Sequence, residues 1–463
     1  MGPIWFLVLY LLLATPPSVL AELHQETELS HKQPAVRLEI HHARGHGSSS
    51  FNATHPLSLS DLLSRDEERV MALQSRLVVS KDAGGTTSAS SSKEDPAGQK
   101  SINIPLKAGL SIGSGNYLLK IGLGTPAKYY TLLLDTGSSF SWLQCQPCSV
   151  YCHNQVDPLF DPSQSKTYKK ITCGTSQCSL LTEATLNKPF CSASSNTCIY
   201  TASYGDSSYS IGYLSQDLLT LAPSQTLPLF FYGCGQDNQG LFGRTDGIVG
   251  LARDKLSLLG QLSSKYGYAF SYCLPEAFTA STGVGFLSLG ESSLAASPPY
   301  KFTPMLTDSK NPSLYFLRLA AITVAGVPLR VGAVQYRVST IIDSGTVITR
   351  LPTAVYTALQ QAFVSIMSKR YAQAPAFSIL DTCFKGSLKS LSSVPQIQFI
   401  FQGGADLTLK PSNILIEADK GIACLAFAGS SQIAIIGNHQ QQTFRVAYDV
   451  TRSRIGFAAG GCH

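Results

Sequence analysis

Charge is scarce in this chain: only 14% of its 463 residues are Asp, Glu, Lys or Arg. Residues 1–100 carry 9 basic and 11 acidic side chains, and residues 101–463 carry 26 and 18. That surplus, spread thinly and without a long Lys/Arg run, describes a solvated surface, so no nucleic-acid partner is expected. Histidine is scarcer still, with only His153, His439 and His463 beyond residue 100. The shortage argues against a Ser–His triad and against a zinc hydrolase that needs two or three such ligands. Gly109-Leu-Ser-Ile-Gly113 has the spacing of a nucleophile elbow, but it precedes the first strand with no helix behind it. No phosphate-cradling loop of the Walker type is present, and no cofactor or metal is expected. After the N-terminus no run reaches the ~18 apolar residues of a membrane span. Cysteine is absent from the first 144 residues, and all 12 lie between Cys145 and Cys462.

Gly (38) and Pro (24) abound, with 44% apolar residues, which favours short strands and turns. The length exceeds what one core usually supports. Residues 4–14 form an apolar stretch of signal-peptide length, and Ser18-Val-Leu-Ala21 suits cleavage, so 1–21 reads as a leader. Residues 22–100 read as a pro-segment. One amphipathic helix is expected there, about Ser60 to Leu77, with Leu62, Leu63, Val70, Met71, Leu73 and Leu77 on or near one face. A Ser/Thr/Gly/Ala-rich linker follows at 83–92. The His41–His46 cluster reads as discarded polar sequence in preference to a metal site. Asn52-Ala-Thr54 is the acceptable N-glycosylation sequon. An even cysteine count behind a leader implies a disulfide framework, with seven cysteines packed into the 54 residues from Cys145 to Cys198.

The organising stretch is Leu132-Leu-Leu-Asp-Thr-Gly-Ser-Ser139. An apolar strand that ends on a carboxylate needs a reason, because a buried charge is costly unless paired or hydrogen-bonded. The same design recurs as Thr340-Ile-Ile-Asp-Ser-Gly-Thr346, 208 residues on from acid to acid. Each copy is followed by an apolar-apolar-Gly run, Ile248-Val249-Gly250 and Ile435-Ile436-Gly437. Two copies of one plan imply pseudo-twofold symmetry, with Asp135 and Asp343 meeting across a cleft and sharing a proton. The expected fold is all-β and bilobal, with lobes of about 101–300 and 301–463 around a central active-site cleft. The stretch Ser297 to Pro312 is expected to join them, and Pro352 to Met367 to form a helix.

The chain resembles a pepsin-family aspartic protease of the plant nepenthesin-like branch. Asp135-Thr-Gly-Ser138 and Asp343-Ser-Gly-Thr346 match the two signatures. Trp142, Tyr204-Gly-Asp206 and Gly456-Phe457 match in order along the chain, and the cysteine-rich insert marks the branch. The resemblance implies a pepsin-like acid protease fold in which Asp135 and Asp343 hold a catalytic water. Thr136 and Ser344 would cross-brace the turns, Ser138 and Thr346 would bond the outer carboxylate oxygens, and Gly137 and Gly345 would permit the tight turns. Tyr204 would close a flap supported by Trp142, although Ser207 stands where the family often has Gly. The implied disulfides are Cys145–Cys148, Cys152–Cys234, Cys173–Cys198, Cys178–Cys191, Cys273–Cys462 and Cys383–Cys424. The implied activity is a secreted aspartic endopeptidase, made as a zymogen and active at acidic pH. It would be a monomer acting on polypeptides, in the apoplast or vacuole and not in a membrane. A basic residue near the end of the pro-segment, such as Lys100, is expected to silence the acids before activation. The alternatives are a catalytically dead inhibitor or binding protein, and a plastid nucleoid protease that also binds DNA.

Overall fold

The computed structural model describes residues 36–41, 58–78, 106–204, 207–240, 242–277, 284–460 and Cys462. The leader, the Asn52 sequon, most of the His41–His46 cluster, the 83–92 linker and Lys100 lie outside the described residues. Strands dominate. Tyr117–Leu123 and Lys128–Asp135 pair antiparallel. The second is exposed only at its first two residues and then buried through Asp135. Gly247–Gly250 runs parallel beside it and sets Gly250 opposite Asp135. The second half repeats the arrangement, with Thr340–Ile342 parallel to Ala434–Ile436. The glycine closing each apolar run is forced by a close approach. A Cβ at Gly250 would lie 2.6 Å from Ser138 O, and one at Gly437 would lie 2.5 Å from Val347 O. Each glycine thus lets the turn after an acid pass over the neighbouring strand.

The two halves share one antiparallel sheet. Its strands run in the order Val36–His41, Val284–Leu289, Ala269–Cys273, Phe444–Asp449, Arg454–Ala459 and Lys301–Pro304. Lys301–Pro304 falls within the expected junction. Where strands from the two halves meet, the Phe270 and Tyr448 rings stack with centroids 4.4 Å apart. The Tyr272 and Tyr448 hydroxyls lie 2.8 Å apart.

The helix expected near residues 60–77 spans Leu59–Val78. Its start is capped by Ser58, whose Oγ accepts from Asp61 N–H at 3.1 Å. Leu62, Leu63, Val70 and Leu73 are buried, each contributing about 1.5–3 kcal/mol on docking. Met71 departs from expectation: it is 52% exposed and turned away from the packed face. The helix Thr353–Met367 buries Val355, Leu359, Phe363 and Met367. Among the described residues no helix is long and apolar enough to cross a membrane.

All 12 cysteines are paired, but four of the six implied bridges are corrected. Cys145 bonds Cys234 and Cys148 bonds Cys152. The reason is strand register. Trp142–Gln144 runs parallel to Gln225–Gln239 with Leu143 opposite Cys234, whereas Cys152 stands opposite Asn238. Four strand residues separate those partners, about 13 Å, well beyond disulfide reach. Cys173 bonds Cys191, and Cys178 bonds Cys198. Cys178 lies in the first turn of the helix Ser176–Thr185 and turns inward, so it meets Cys198, which is likewise buried. Cys173 precedes that helix and meets the exposed Cys191. Cys273–Cys462 and Cys383–Cys424 pair as implied.

Candidate active site

Both acids are 0% exposed, one after each repeated strand, and near-identical hydrogen bonds surround them. Gly137 N–H donates to Asp135 Oδ1 at 2.9 Å, and Gly345 N–H donates to Asp343 Oδ1 at 3.0 Å. The outer oxygens accept hydroxyls: Ser138 bonds Asp135 Oδ2, and Thr346 Oγ1 bonds Asp343 Oδ2 at 2.7 Å. The turns are also laced to each other. Ser344 N–H donates to Thr136 Oγ1 (2.9 Å), and Thr136 N–H donates to Ser344 Oγ (3.2 Å). Each turn glycine faces the opposite acid. A Cβ on Gly345 would lie 2.5 Å from Asp135 Oδ1, and one on Gly137 would lie 3.0 Å from Asp343 Oδ1. The residues singled out in the two signatures are therefore brought together.

Among the described residues a cation lies between the acids. The helix Leu59–Val78 crosses the cleft and sends Arg69 into it. Arg69 Nη2 donates to Asp135 Oδ1 at 2.7 Å and to Asp343 Oδ2 at 2.9 Å. Nη1 reaches Asp135 Oδ2, and Nε reaches Asp343 Oδ2, both at 3.2 Å. Burial alone would push the Asp343 carboxyl up. The Arg69 charge, the Thr346 hydroxyl and the Gly345 amide together hold it below its ordinary range. Burial would likewise lower the Arg69 guanidinium, but the two acids raise it further above its already high value. Arg69 is permanently cationic.

One helical turn earlier, Asp66 makes a second buried contact. Its carboxylate accepts Val347 N–H at 2.5 Å and Ile348 N–H at 3.1 Å. It also pairs with Arg350 Nη2 at 3.1 Å. Glu67 reaches the same Arg350 nitrogen at 2.9 Å.

Tyr204 stands at the tip of the hairpin formed by Cys198–Ser203 and Tyr209–Ala222. Trp142 Nε1–H donates to Tyr204 Oη at 2.6 Å. Ser207 adopts φ of 60°, the left-handed conformation that a glycine would take freely. Phe242 completes the aromatic wall, edge-on to Trp142 (4.9 Å) and Tyr204 (5.7 Å). The cleft left beside the helix holds about 330 Å³ and is also lined by Phe140, Ile248, Leu186 and Asn187.

Arg69, Arg350 and Phe242 were missed by sequence reasoning. For Arg69 a signal existed: residues 62, 66, 69 and 73 share one helical face, which sets a charge amid the apolar stripe. Phe242 and Arg350 carry no such mark.

Residues 117–291 match a family model described as xylanase inhibitor N-terminal, and residues 314–459 match its C-terminal counterpart. An aspartyl protease family protein of Arabidopsis thaliana is 39% identical over 442 residues, covering 94% of this chain and 89% of that protein. Aspartic proteinase nepenthesin-2 of Nepenthes gracilis is 35% identical over 380 residues, covering 78% and 83%. Basic 7S globulin from soybean has a similar fold, with a TM-score of 0.59 and 24% identity over 74% of this chain and 93% of that one. Conglutin gamma from lupine seeds aligns with a TM-score of 0.60 and 23% identity over 75% and 92%.

Proposed function

We propose, from the premise that this chain belongs to the nepenthesin-like branch of the pepsin-family aspartic proteases, that it is an aspartic endopeptidase made as a zymogen and active at acidic pH. The observation that carries this reading is the convergence of Asp135 and Asp343 on a single guanidinium nitrogen, within mirrored sets of hydrogen bonds. With the helix Leu59–Val78 withdrawn, the position of Arg69 Nη2 becomes the place for a water between the two acids. One carboxylate takes a proton from that water while the other, protonated, hydrogen-bonds the scissile carbonyl. The proton belongs to the pair. Carbonyl attack by water needs no covalent intermediate, and the aromatic wall of Tyr204, Trp142 and Phe242 excludes bulk solvent from one side.

Residues 22–100 act in this reading as the pro-segment, with Arg69 as the cation that silences the dyad. The apolar residues 4–14 and the six disulfides favour the secretory pathway, leading to the apoplast or vacuole, over a plastid. Polypeptides are the expected substrates. The second reading, an inactive inhibitor, is favoured by the description of the matching family model, and the complete acid, hydroxyl and glycine set around the dyad weighs against it. The deciding experiment is hydrolysis of a denatured protein by the matured chain at about pH 4. Activity that a pepstatin-type inhibitor blocks, and that Asp135→Asn and Asp343→Asn each reduce by at least about 100-fold, is expected. A correctly processed wild type with no activity would overturn the enzyme reading.

A further inference from the structure

We propose that Arg350, with the Val347 and Ile348 amides, forms a receptor for an acidic side chain of the substrate once the helix Leu59–Val78 has left. The inference rests on the endopeptidase reading and names a substrate feature that the dyad itself does not dictate.

Arg350 is 0% exposed. Its partners in the cleft are two carboxylates of the departing helix, Asp66 and Glu67. Asp66 is held by two main-chain N–H donors and one guanidinium on its two oxygens, and these offset only part of the burial under the helix that pushes its carboxyl up. Every donor in that set belongs to the protease body. Arg350 is fixed there through Nη1–H to Ile348 O at 2.9 Å. Its strand, Thr349–Pro352, is paired to Phe427–Ser430 on one side and to Ile435 on the other. Arg350 Nε is buried and has no hydrogen-bond partner among the described residues, which leaves one more donor. Withdrawing the helix therefore strips a permanent cation of its two carboxylates and two amides of their acceptor while leaving them in place. A guanidinium so stripped favours a carboxylate over a neutral amide.

The distance from the dyad locates the subsite. Asp66 precedes Arg69 by three residues, about 4.5 Å along a helix. An extended chain advances about 3.3 Å per residue, so the acidic side chain should lie within roughly two or three residues of the scissile bond. A role confined to anchoring the pro-segment makes a different forecast: loss of Arg350 would then loosen the precursor without changing which peptides are cut.

The test uses the full-length chain, matured by acid or, failing that, by a site-specific protease at a site inserted within residues 83–92. Peptide pairs that differ only by Glu against Gln, walked through each position, are compared at about pH 5, where a free glutamate is mostly ionised. At one position wild type should favour Glu by about tenfold or more in kcat/KM, in the range of charge-assisted hydrogen bonds. Arg350→Met should abolish the preference while cutting the Gln peptide within about threefold of wild type. Arg350→Lys, which keeps the charge and guards against a folding defect, should retain part of it. Wild type that cuts the neutral peptides without an acidic preference overturns the receptor and leaves the protease reading standing. A preference that survives in Arg350→Met overturns it too. If no peptide is cut, the protease reading fails, and fluorescence anisotropy with the same labelled pairs decides the receptor. Tighter Glu binding that Arg350→Met removes supports it, and equal binding overturns it.

Discussion

Replacing Arg69 with Met keeps an unbranched stem but removes every hydrogen bond to the dyad, four contacts between 2.7 and 3.2 Å. Both acids are 0% exposed, and Arg69 is 19% exposed, so solvent screens these pairs only weakly. Removing one partner of a buried pair costs about 3–5 kcal/mol. The bereaved carboxylates can share a proton, which sets the low end as the better figure. About 3 kcal/mol corresponds to a roughly 150-fold weaker docking of the helix. Leu62, Leu63, Val70, Leu73 and Asp66 still hold it, so the helix should open more often without detaching permanently. Amide hydrogen exchange across residues 59–78 of the precursor at about pH 6.5 should rise roughly 100-fold, since exchange reports local opening. The pH response should change as well. The Asp343 pKa is depressed in the folded chain, so its stabilisation is present above its ordinary value of 3.8 and is lost as pH falls through the depressed value. The variant lacks that acid-sensitive latch and should mature at a higher pH. Exchange within threefold of wild type, together with an unchanged maturation pH, would refute the assignment of Arg69 as the latch.

Trp142→Phe removes the bond to Tyr204, worth about 0.5–1.5 kcal/mol. It should lower kcat/KM by roughly 2- to 12-fold on a fixed peptide, with little change in melting temperature. Burial, reinforced by the neighbouring Asp157, pushes the Asp246 carboxyl up to about 8. Its contribution to stability is then complete below 3.8 and is lost as pH rises through about 8, on the order of a few kcal/mol. Asp246→Asn should flatten the fall in melting temperature between pH 4 and 8, and an unchanged slope would count against a protonated Asp246. Peptide mapping of the unreduced chain should recover Cys145 joined to Cys234 and Cys148 joined to Cys152. Finding Cys145 joined to Cys148 would restore the pairing implied by the family resemblance.

What was legible in the sequence was what repeats or alternates. The two acid turns, their glycines and the paired apolar runs announce themselves because each is a local solution to burying a carboxylate at a strand end, and it occurs twice. The helix at 59–78 was visible from its spacing, although Met71 showed that a stripe read by eye is wider than the face that packs. Cysteine pairing was not legible. It depends on whether Leu143 or Cys152 lies opposite Cys234, a register set by strands far apart in the chain. Arg69 was only half visible for a related reason: its place amid the apolar face marks it as unusual, but its partners lie 66 and 274 residues away, so what it pairs with is set by tertiary packing.

The sheet built from both halves carries a practical consequence for anyone truncating this protein. A polypeptide ending near residue 300 would retain Ala269–Cys273 but lose Phe444–Asp449, the neighbour that saturates one side of it. Five buried residues of that strand, among them Cys273 without its bond to Cys462, would then form a bare apolar edge of the kind that recruits other chains. Expressed separately, the N-terminal half should precipitate, and supplying residues 301–463 alongside it should restore solubility.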